Sequence, residues 1–316
     1  MPLALMVQST KPAQLQTLQQ LYPDWQFMPV ADLQPQDYAQ VTVMYGYHPV
    51  LNAILALADN RLRFLQVISA GVDYLPLTDL QAQGVLVANT SGIHADAISE
   101  SVLGAMLTVT RGYQAAWQNQ NGARQWALPI TTSTLTGRQL LVFGTGQIGQ
   151  AIATKAAAFG LHLIGVNTSG HPAPGFDETV ALTASGSAVA TADFIVNALP
   201  LTPATHHFFN ATLFAQARQR PLLINIGRGP AVDTMALITA LDQHQLSGAV
   251  LDVTEPEPLP ADHPLWQRPD VIITPHISGQ ISHFRATVFP IFAANFAAWI
   301  KTGQLANHQV DLTRGY

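Results

Sequence analysis

Four charged or titratable side chains follow short apolar runs in the carboxyl-terminal part of the chain. Arg228 comes after LLINIG, Asp252 ends GAVLD with Glu257 just beyond it, and His276 lies in TPHISG. Each has an ordinary structural explanation, since arginines at strand ends are commonly solvated, EPEP is a common surface turn and lone histidines are commonly structural. In open α/β sheets, however, ligands bind beyond the carboxyl ends of the strands. Together the four residues form a chemical set, in which the guanidinium of Arg228 could hold an anion.

A glycine-rich loop joins a predicted strand to a predicted helix in QLLVFGTGQIGQAIATKAAAFG, which begins at Gln139. Three glycines at G-x-G-x-x-G spacing often form only a tight turn. Between a strand and a helix, the first allows the turn, the second lets the backbone approach a pyrophosphate, and the third lets helix pack on strand. The helix amino terminus adds unpaired N–H groups for the phosphates. The predicted dinucleotide-binding residues are Gly144, Gly146, Gln147, Ile148 and Gly149.

The next predicted strand, LHLIGV, should end at the residue that meets the adenosine ribose. An NAD site normally has Asp or Glu about 20 residues past the loop, where it accepts from the 2′-hydroxyl. This chain has Asn167, followed by Thr168, Ser169, Gly170 and His171. A carboxylate would repel a 2′-phosphate, whereas an amide, two hydroxyls and a histidine could donate to it. We therefore expect NADP(H) to be preferred over NAD(H), with a merely polar turn and no preference as the alternative.

Composition excludes several other classes of protein. The 316 residues are 48% hydrophobic and 10% charged, which is typical of a globular chain long enough for two domains. A formal charge of −5 with only 14 Lys and Arg gives no basic stripe, so no nucleic-acid partner is expected. Cysteine is absent, which excludes disulfides, thiolate nucleophiles and Cys-ligated zinc and fits a reducing compartment. No metal site, signal peptide or membrane span is predicted, and we expect a cytoplasmic protein.

Short apolar runs rich in Val, Ile and Leu recur along the chain, with helix-like segments between them. They are LALMV, VTVMY, RFLQVIS, GVLVAN, QLLVFG, LHLIGV, DFIVNAL, PLLINIG, GAVLDV and VIITPH. Continuous apolar runs are typical of parallel strands covered on both faces, so the pattern predicts a doubly wound α/β fold. A long helical segment, ADAISESVLGAMLTVTRGY, separates the first four runs from the rest, and an apolar helix from about Ser282 to Ile300 closes the chain. This order predicts a larger α/β domain inserted into a smaller one.

Several segments of the chain resemble the D-2-hydroxyacid dehydrogenase family, the D-specific NAD(P)-dependent 2-oxoacid reductases. They are SAGVDYL at 69, NTSGIHADAISE at 89, LTGRQLLVFGTGQIG at 135, NALPLTPATHHFFN at 197, INIGRGPAVD at 224, LDVTEPEPLPADHPLW at 251 and TPHISG at 274. They occur in family order and cover most of residues 65–280. The resemblance implies two Rossmann-like domains with a cleft between them, residues 1–92 plus 284–316 binding the substrate and residues 93–283 binding the dinucleotide.

The resemblance also implies a role for each residue of the first site. Arg228 matches the substrate-binding arginine, Glu257 the acid partner and His276 the proton donor, and the family spacing from Asp252 selects Glu257 over Glu255. Because the nicotinamide carries the hydride, the protein must orient the 2-oxoacid and supply a proton. Arg228 would grip the carboxylate through its planar fork. Protonated His276 would give its proton to the forming alkoxide, and Glu257 would favour the charged ring and fix its orientation.

Other residues receive roles from the resemblance alone. Backbone N–H groups of Gly71 and Val72 match the loop that binds the substrate carboxylate, and Asp252 matches the aspartate that holds the nicotinamide carboxamide. The positions that match residues packed along the cofactor are Leu199, Pro200 and Ile226. The resemblance further implies a homodimer built around the long helix after His94.

Two positions depart from the family pattern. Thr254 stands where an aromatic residue is usual, and Asn167 stands where an acid is usual. Both departures concern cofactor and substrate preference, and no motif identifies which small 2-oxoacid is reduced. Tyr45, Tyr47 and His48 are candidates for substrate selection, but a structural role is the favoured interpretation of all three. The sequence ends at Tyr316 without a regulatory extension, so we do not expect one of the long phosphoglycerate dehydrogenases.

A second class of function uses the same fold and residues. The family includes transcriptional corepressors, which are dinucleotide-sensing binding proteins with little turnover. The chain has no long tails and no basic localisation runs, which favours the enzyme over the corepressor.

Overall fold

The computed structural model describes residues 1–315, which fold as two compact units. We call them the terminal unit, formed by residues 1–93 and 281–315, and the central unit, formed by residues 94–280.

Strands and helices alternate along most of the chain. The strands are β1 (Leu3–Met6), β2 (Gln26–Pro29), β3 (Val41–Tyr45), β4 (Phe64–Gln66), β5 (Leu86–Ala88), β6 (Gln139–Phe143), β7 (His162–Asn167), β8 (Glu178–Ala181), β9 (Phe194–Asn197), β10 (Leu222–Asn225), β11 (Gly248–Leu251) and β12 (Val271–Ile273). The α-helices are α1 (Pro12–Leu21), α2 (Val50–Leu55), α3 (Leu77–Ala82), α4 (Ala95–Thr110), α5 (Tyr113–Asn121), α6 (Gln147–Ala157), α7 (Gly186–Thr191), α8 (Ala211–Phe214), α9 (Thr234–Asp242) and α10 (Phe284–Thr302). Short 3₁₀ helices occur at Val30–Asp32, Pro35–Gln40, Leu182–Ala184, Gly229–Ala231 and Pro264–Gln267.

The terminal unit is built on a five-stranded sheet of order β2-β1-β3-β4-β5, whose described strand pairs are parallel. Its two faces bury separate cores. The closing helix α10 covers one face with Val288, Phe292 and Phe296, which are fully buried. This helix therefore completes a domain that begins at the other end of the chain.

The central unit is built on a seven-stranded sheet of order β12-β11-β10-β9-β6-β7-β8, again with parallel pairs. Along β6, Leu141 and Phe143 enter one core while Leu140 and Val142 enter the other. This two-sided burial explains why the strand is a continuous apolar run. The predicted doubly wound α/β fold is confirmed.

The sequence predicts ten of the twelve strands and misses β2 and β8. Both lie at a sheet edge. In β2 only Phe27 is buried, and β8 has no buried residue among its four. The edge strands β5 and β12 keep apolar runs and are predicted, so edge position alone is not the reason. What β2 and β8 lack is burial, and without it they lack the apolar run by which the other strands are recognised.

Parallel pairing sends the carboxyl ends of β6, β9, β10, β11 and β12 to the same edge of the central sheet. The glycine-rich loop and the four residues of the first predicted site all follow strands that end there. None of the helices in the described part of the chain combines the length and apolarity required to cross a membrane.

Candidate active site

The glycine-rich loop lies between β6 and α6. Gly144 has a φ of +103°, and a Cβ there would lie 2.8 Å from the carbonyl oxygen of Ala198. A Cβ on Gly149 would overlap the carbonyl oxygen of Gly144, so only glycine lets α6 pack this closely on the strand end. Among the described residues outside its own neighbours and helix, a Cβ on Gly146 would meet no atom within 4 Å. Gly146 thus borders open space at the amino terminus of α6, which fits the close approach of a pyrophosphate.

Asn167 ends β7 and shapes the loop that follows it. Its side chain is buried, and its Nδ2 donates to Oγ1 of Thr145 at 3.2 Å and to the carbonyl oxygen of His171 at 2.8 Å. Its Oδ1 accepts a hydrogen bond from the backbone N–H of Gly170 at 2.7 Å. The two residues after Asn167, and His171, are exposed. Asn167 therefore fixes the loop, and its neighbours form the exposed surface.

A buried pair of asparagines joins the ends of β9 and β10. Nδ2 of Asn197 donates to Oδ1 of Asn225 at 2.9 Å, and both residues are at most 1% exposed. Oδ1 of Asn197 accepts from the N–H of Leu199, and Oδ1 of Asn225 accepts from the N–H of Gly227. Nδ2 of Asn225 donates to the carbonyl oxygen of Arg228 at 3.1 Å. The pair therefore sets the course of both loops.

Arg228 follows β10 in an extended conformation and is half-buried. Its Nη1 donates to the carbonyl oxygen of Gly227 at 2.9 Å. A Cβ on the next residue, Gly229, would overlap the carbonyl oxygen of Thr254. The loop that carries Arg228 is thus packed directly on the loop after β11, which carries Glu257.

Asp252 lies at the end of β11 and is only 4% exposed. Its Oδ1 accepts from Oγ1 of Thr274 at 2.5 Å and from the N–H of Ile277 at 2.9 Å, and its Oδ2 accepts from the N–H of Ser278 at 3.0 Å. The backbone N–H of His276 donates to the carbonyl oxygen of Asp252 at 2.9 Å. One buried carboxylate thus holds the segment on which His276 lies.

His276 and Glu257 form a direct pair. Nδ1 of His276 lies 2.7 Å from Oε1 of Glu257, and the two side chains are 53% and 43% exposed. The nearby carboxylate Glu255 contacts Nε2 of His207 instead, at 2.9 Å. With Nδ1 of His276 bound to a carboxylate, Nε2 is the ring nitrogen left to meet a ligand.

The remaining residues predicted to contact a cofactor lie along the same edge of the sheet. Gln147 and Ile148 form the start of α6. Leu199 and Ile226 are buried beyond the ends of β9 and β10, and Pro200 is half-buried.

The predicted substrate residues of the terminal unit follow β4. Val72 is buried and Gly71 is half-buried. Oγ of Ser69 donates to the carbonyl oxygen of Gly71 at 2.8 Å, and Nδ2 of Asn89 donates to that of Ala70 at 2.9 Å. These bonds fix the orientation of the peptide groups in this loop.

Tyr45 belongs to the core of the terminal unit. It is 1% exposed, its ring stacks on Phe292 at 4.3 Å, and burial raises the pKa of its hydroxyl. The other two residues considered for substrate selection are Tyr47 and His48. Tyr47 contacts Tyr74 edge-on with ring centroids 4.9 Å apart, and Nδ1 of His48 accepts from the N–H of Val50.

Comparison with known proteins identifies the family. The profile described as D-isomer specific 2-hydroxyacid dehydrogenase, NAD binding domain, matches residues 103–278, which is more than half of the chain. The chain belongs to the D-isomer specific 2-hydroxyacid dehydrogenase family. The resemblance seen in the sequence is confirmed, and the protein is an NAD(P)-dependent oxidoreductase of the 2-oxoacid and 2-hydroxyacid class.

Three similar proteins are named for their activities. A crystal structure of phosphoglycerate dehydrogenase from Lactobacillus plantarum is 72% identical, with 98% of this chain and 100% of that chain covered and a TM-score of 0.60. The NADPH-dependent glyoxylate/hydroxypyruvate reductase from Sinorhizobium meliloti, solved with NADP and sulfate, is 27% identical, with 100% of both chains covered and a TM-score of 0.82. Human glyoxylate reductase/hydroxypyruvate reductase is 32% identical over 247 residues, 77% of this chain and 75% of that protein. Because the chain covers the whole Lactobacillus structure, length alone does not separate it from proteins named phosphoglycerate dehydrogenase.

Sequence reasoning misses three residues that shape this dehydrogenase site. Asn197, Asn225 and Thr274 form hydrogen bonds to other residues of the site. For the two asparagines, the sequence does carry a signal: each closes an apolar run, FIVN at Asn197 and LLIN at Asn225. A polar residue there must find a partner, because a buried amide without one costs free energy.

Proposed function

We propose that the protein is an NADPH-preferring reductase that converts a small 2-oxoacid to the (R)-2-hydroxy acid. The observation that carries the proposal is the 2.7 Å contact between His276 and Glu257, at the sheet edge that also presents Arg228 and the glycine-rich loop. The central unit would bind the dinucleotide, and the terminal unit would bind the substrate. The names of the human and Sinorhizobium proteins favour a substrate of the size of glyoxylate or hydroxypyruvate.

The residues of the central unit suit the chemistry of reduction. When bound, the nicotinamide supplies the hydride for C2 of the oxoacid. Arg228 holds the substrate carboxylate through two parallel N–H bonds and polarises the adjacent carbonyl. His276, held at Nδ1 by Glu257, gives the proton on Nε2 to the oxygen that becomes the hydroxyl. Gly71 and Val72 contribute backbone N–H groups to the carboxylate, as the family resemblance implies.

The loop after β7 supports the preference for NADP(H). Asn167 is committed to internal hydrogen bonds, so the groups offered to a 2′-phosphate are the exposed hydroxyls of Thr168 and Ser169 and the ring of His171. Oγ of Ser169 lies 3.1 Å from Nδ1 of His171, so the two can act on one anion together. The loop residues 167–171 carry no carboxylate to repel the phosphate.

The function is tested with purified protein, NADPH or NADH, and a panel of 2-oxoacids. The panel contains glyoxylate, hydroxypyruvate, 3-phosphohydroxypyruvate, pyruvate, phenylpyruvate and a branched oxoacid. We expect cofactor oxidation with the small oxoacids and a higher kcat/KM with NADPH. Absence of oxidation with every oxoacid would defeat the reductase, whereas a higher kcat/KM with NADH would overturn only the cofactor preference.

Two alanine variants of the glycine-rich loop should separate packing from ligand binding. Gly149→Ala should lower the free energy of unfolding by about 1–3 kcal/mol, because its methyl group overlaps a backbone carbonyl. Gly146→Ala should leave thermal unfolding unchanged and weaken dinucleotide binding, because its methyl group enters the open space that the pyrophosphate would use. Thermal unfolding and fluorescence titration with NADPH measure the two effects. Unchanged dinucleotide affinity in Gly146→Ala would place the cofactor elsewhere.

We also propose that the protein is a homodimer, as the family resemblance implies. Helix α5 and the segment that follows it expose large apolar side chains. Trp117 is 53% exposed, Trp126 is 96% exposed and Leu128 is 76% exposed, and exposed apolar patches commonly mark protein interfaces. An apolar cavity of about 580 Å³ adjoins Trp117, between α4, α5 and the strands β10–β12. Sedimentation velocity at micromolar concentration checks the assembly, and a monomer would contradict it.

A further inference from the structure

Two consecutive histidines and a glutamate form a cluster in the central unit that the reaction does not use. His206, His207 and Glu255 each offer one ligand atom, and these atoms all lie within 4.8 Å of one another. The two imidazole rings stack with centroids 4.1 Å apart and planes 27° from parallel. Nε2 of His207 lies 2.9 Å from Oε2 of Glu255.

The backbone brings the two histidines to the same side. In an extended chain, neighbouring side chains point to opposite faces. His207 instead has a φ of +49°, in the left-handed region, which turns its ring beside that of His206. Its N–H donates to the carbonyl oxygen of Pro230 at 2.8 Å, and its own carbonyl oxygen accepts from Nδ2 of Asn210 at 2.9 Å. The unusual conformation is thus held by the fold on both sides of the residue.

Glu255 is positioned independently of the histidines. Its carbonyl oxygen accepts a hydrogen bond from Oγ1 of Thr234, at the start of α9. The preceding residue, Thr254, packs against Gly229. The carboxylate therefore comes from a loop that is already fixed before any ligand binds.

The donor set matches a divalent transition metal. Two imidazole nitrogens and one carboxylate oxygen are ligands that zinc takes in proteins, usually with water at the remaining position. A tetrahedral ion with bonds of about 2.0–2.1 Å needs ligand atoms about 3.4 Å apart. Nε2 of His207 and Oε2 of Glu255 lie 2.9 Å apart, and the ligand atoms of the three residues all lie within 4.8 Å of one another. His206 is exposed, so its ring can rotate to complete the third corner, and the side chains of His207 and Glu255 are 41% and 38% exposed.

We propose that His206, His207 and Glu255 bind one zinc-type divalent ion. Metal binding would join the segment after β9 to the loop after β11, on which Glu257 lies two residues beyond Glu255. The cluster shares no residue with the proposed set of Arg228, Glu257 and His276, and the proposal does not rest on the proposed function. Sequence reasoning does not predict it, because HH and EPEP are far apart in the chain and carry no metal-ligand spacing.

Metal binding is measured directly on tag-free protein freed of metal with a chelator. Zn²⁺ is titrated by calorimetry, and Co²⁺ is titrated by its visible ligand-field absorption. We expect one ion per chain, and a higher thermal unfolding temperature with Zn²⁺ because the ion binds the folded state. His206→Ala and Glu255→Gln should each weaken binding by more than the roughly 10- to 100-fold that loss of an outer-shell partner costs.

His244→Ala is the matched control, since His244 is an exposed histidine in the turn after α9, outside the cluster. It should retain the affinity of the unaltered protein. His206 is exposed, so its replacement tests the site without threatening the fold. Absence of stoichiometric binding, or equal affinity in His206→Ala and His244→Ala, would overturn the proposal.

Discussion

Replacing His276 by glutamine should lower kcat by about a hundredfold or more, which is typical of the loss of a general acid. Glutamine can still form hydrogen bonds but cannot transfer a proton to the substrate oxygen. The side chain is 53% exposed and its loop is held through Asp252 by backbone groups, so the variant should fold normally. Steady-state turnover with the best oxoacid of the panel, and fluorescence titration with NADPH, measure the two properties.

Dinucleotide affinity should be nearly unchanged in this variant. The glycine-rich loop follows β6 and the predicted ribose-binding loop follows β7, whereas His276 follows β12. His244→Gln provides a control at an exposed histidine away from the sheet edge, and it should keep full turnover. Unchanged turnover in His276→Gln would mean that another group supplies the proton. Loss of both turnover and NADPH binding would instead indicate a structural role for His276.

The sequence predicts the fold because burial on both faces leaves a direct record in residue type. Alternate residues of β6 fill opposite cores, so the whole strand must be apolar. Strands β2 and β8 bury one residue and none, so they lack that constraint, and the sequence does not reveal them. Strand order within the sheet is likewise invisible in residue type, because it depends on which strands pair across the chain.

The site is only partly readable for a related reason. A side chain that binds a ligand and one that binds a distant backbone group can be the same residue type. Asn167 is predicted from spacing as a cofactor ligand, and the structure shows how it supports the loop around that position. Glu255 and Glu257 are chemically equivalent in the sequence, and only the fold pairs one with His207 and the other with His276.

The second large effect is expected at Asp252. Asp252→Ala should lower the free energy of unfolding, because the N–H groups of Ile277 and Ser278 lose their acceptor at a cost of about 1–3 kcal/mol each. It should also lower kcat/KM by about a hundredfold, since a misplacement of about 1 Å at a reacting group costs that much. His276 lies on the released segment. Chemical denaturation and steady-state kinetics measure the two changes.

Asp193→Ala separates this effect from a general loss of stability. Oδ2 of Asp193 accepts from the N–H of Gln139 at 2.9 Å, at the amino end of β6 and therefore at the opposite edge of the same sheet. Its replacement should also lower the free energy of unfolding, by at most about 3 kcal/mol, but should leave kcat/KM per folded molecule unchanged. Equal losses of kcat/KM in the two variants would show that Asp252 acts through stability alone. A loss confined to Asp252→Ala would show that its buried carboxylate positions the segment carrying the proton donor.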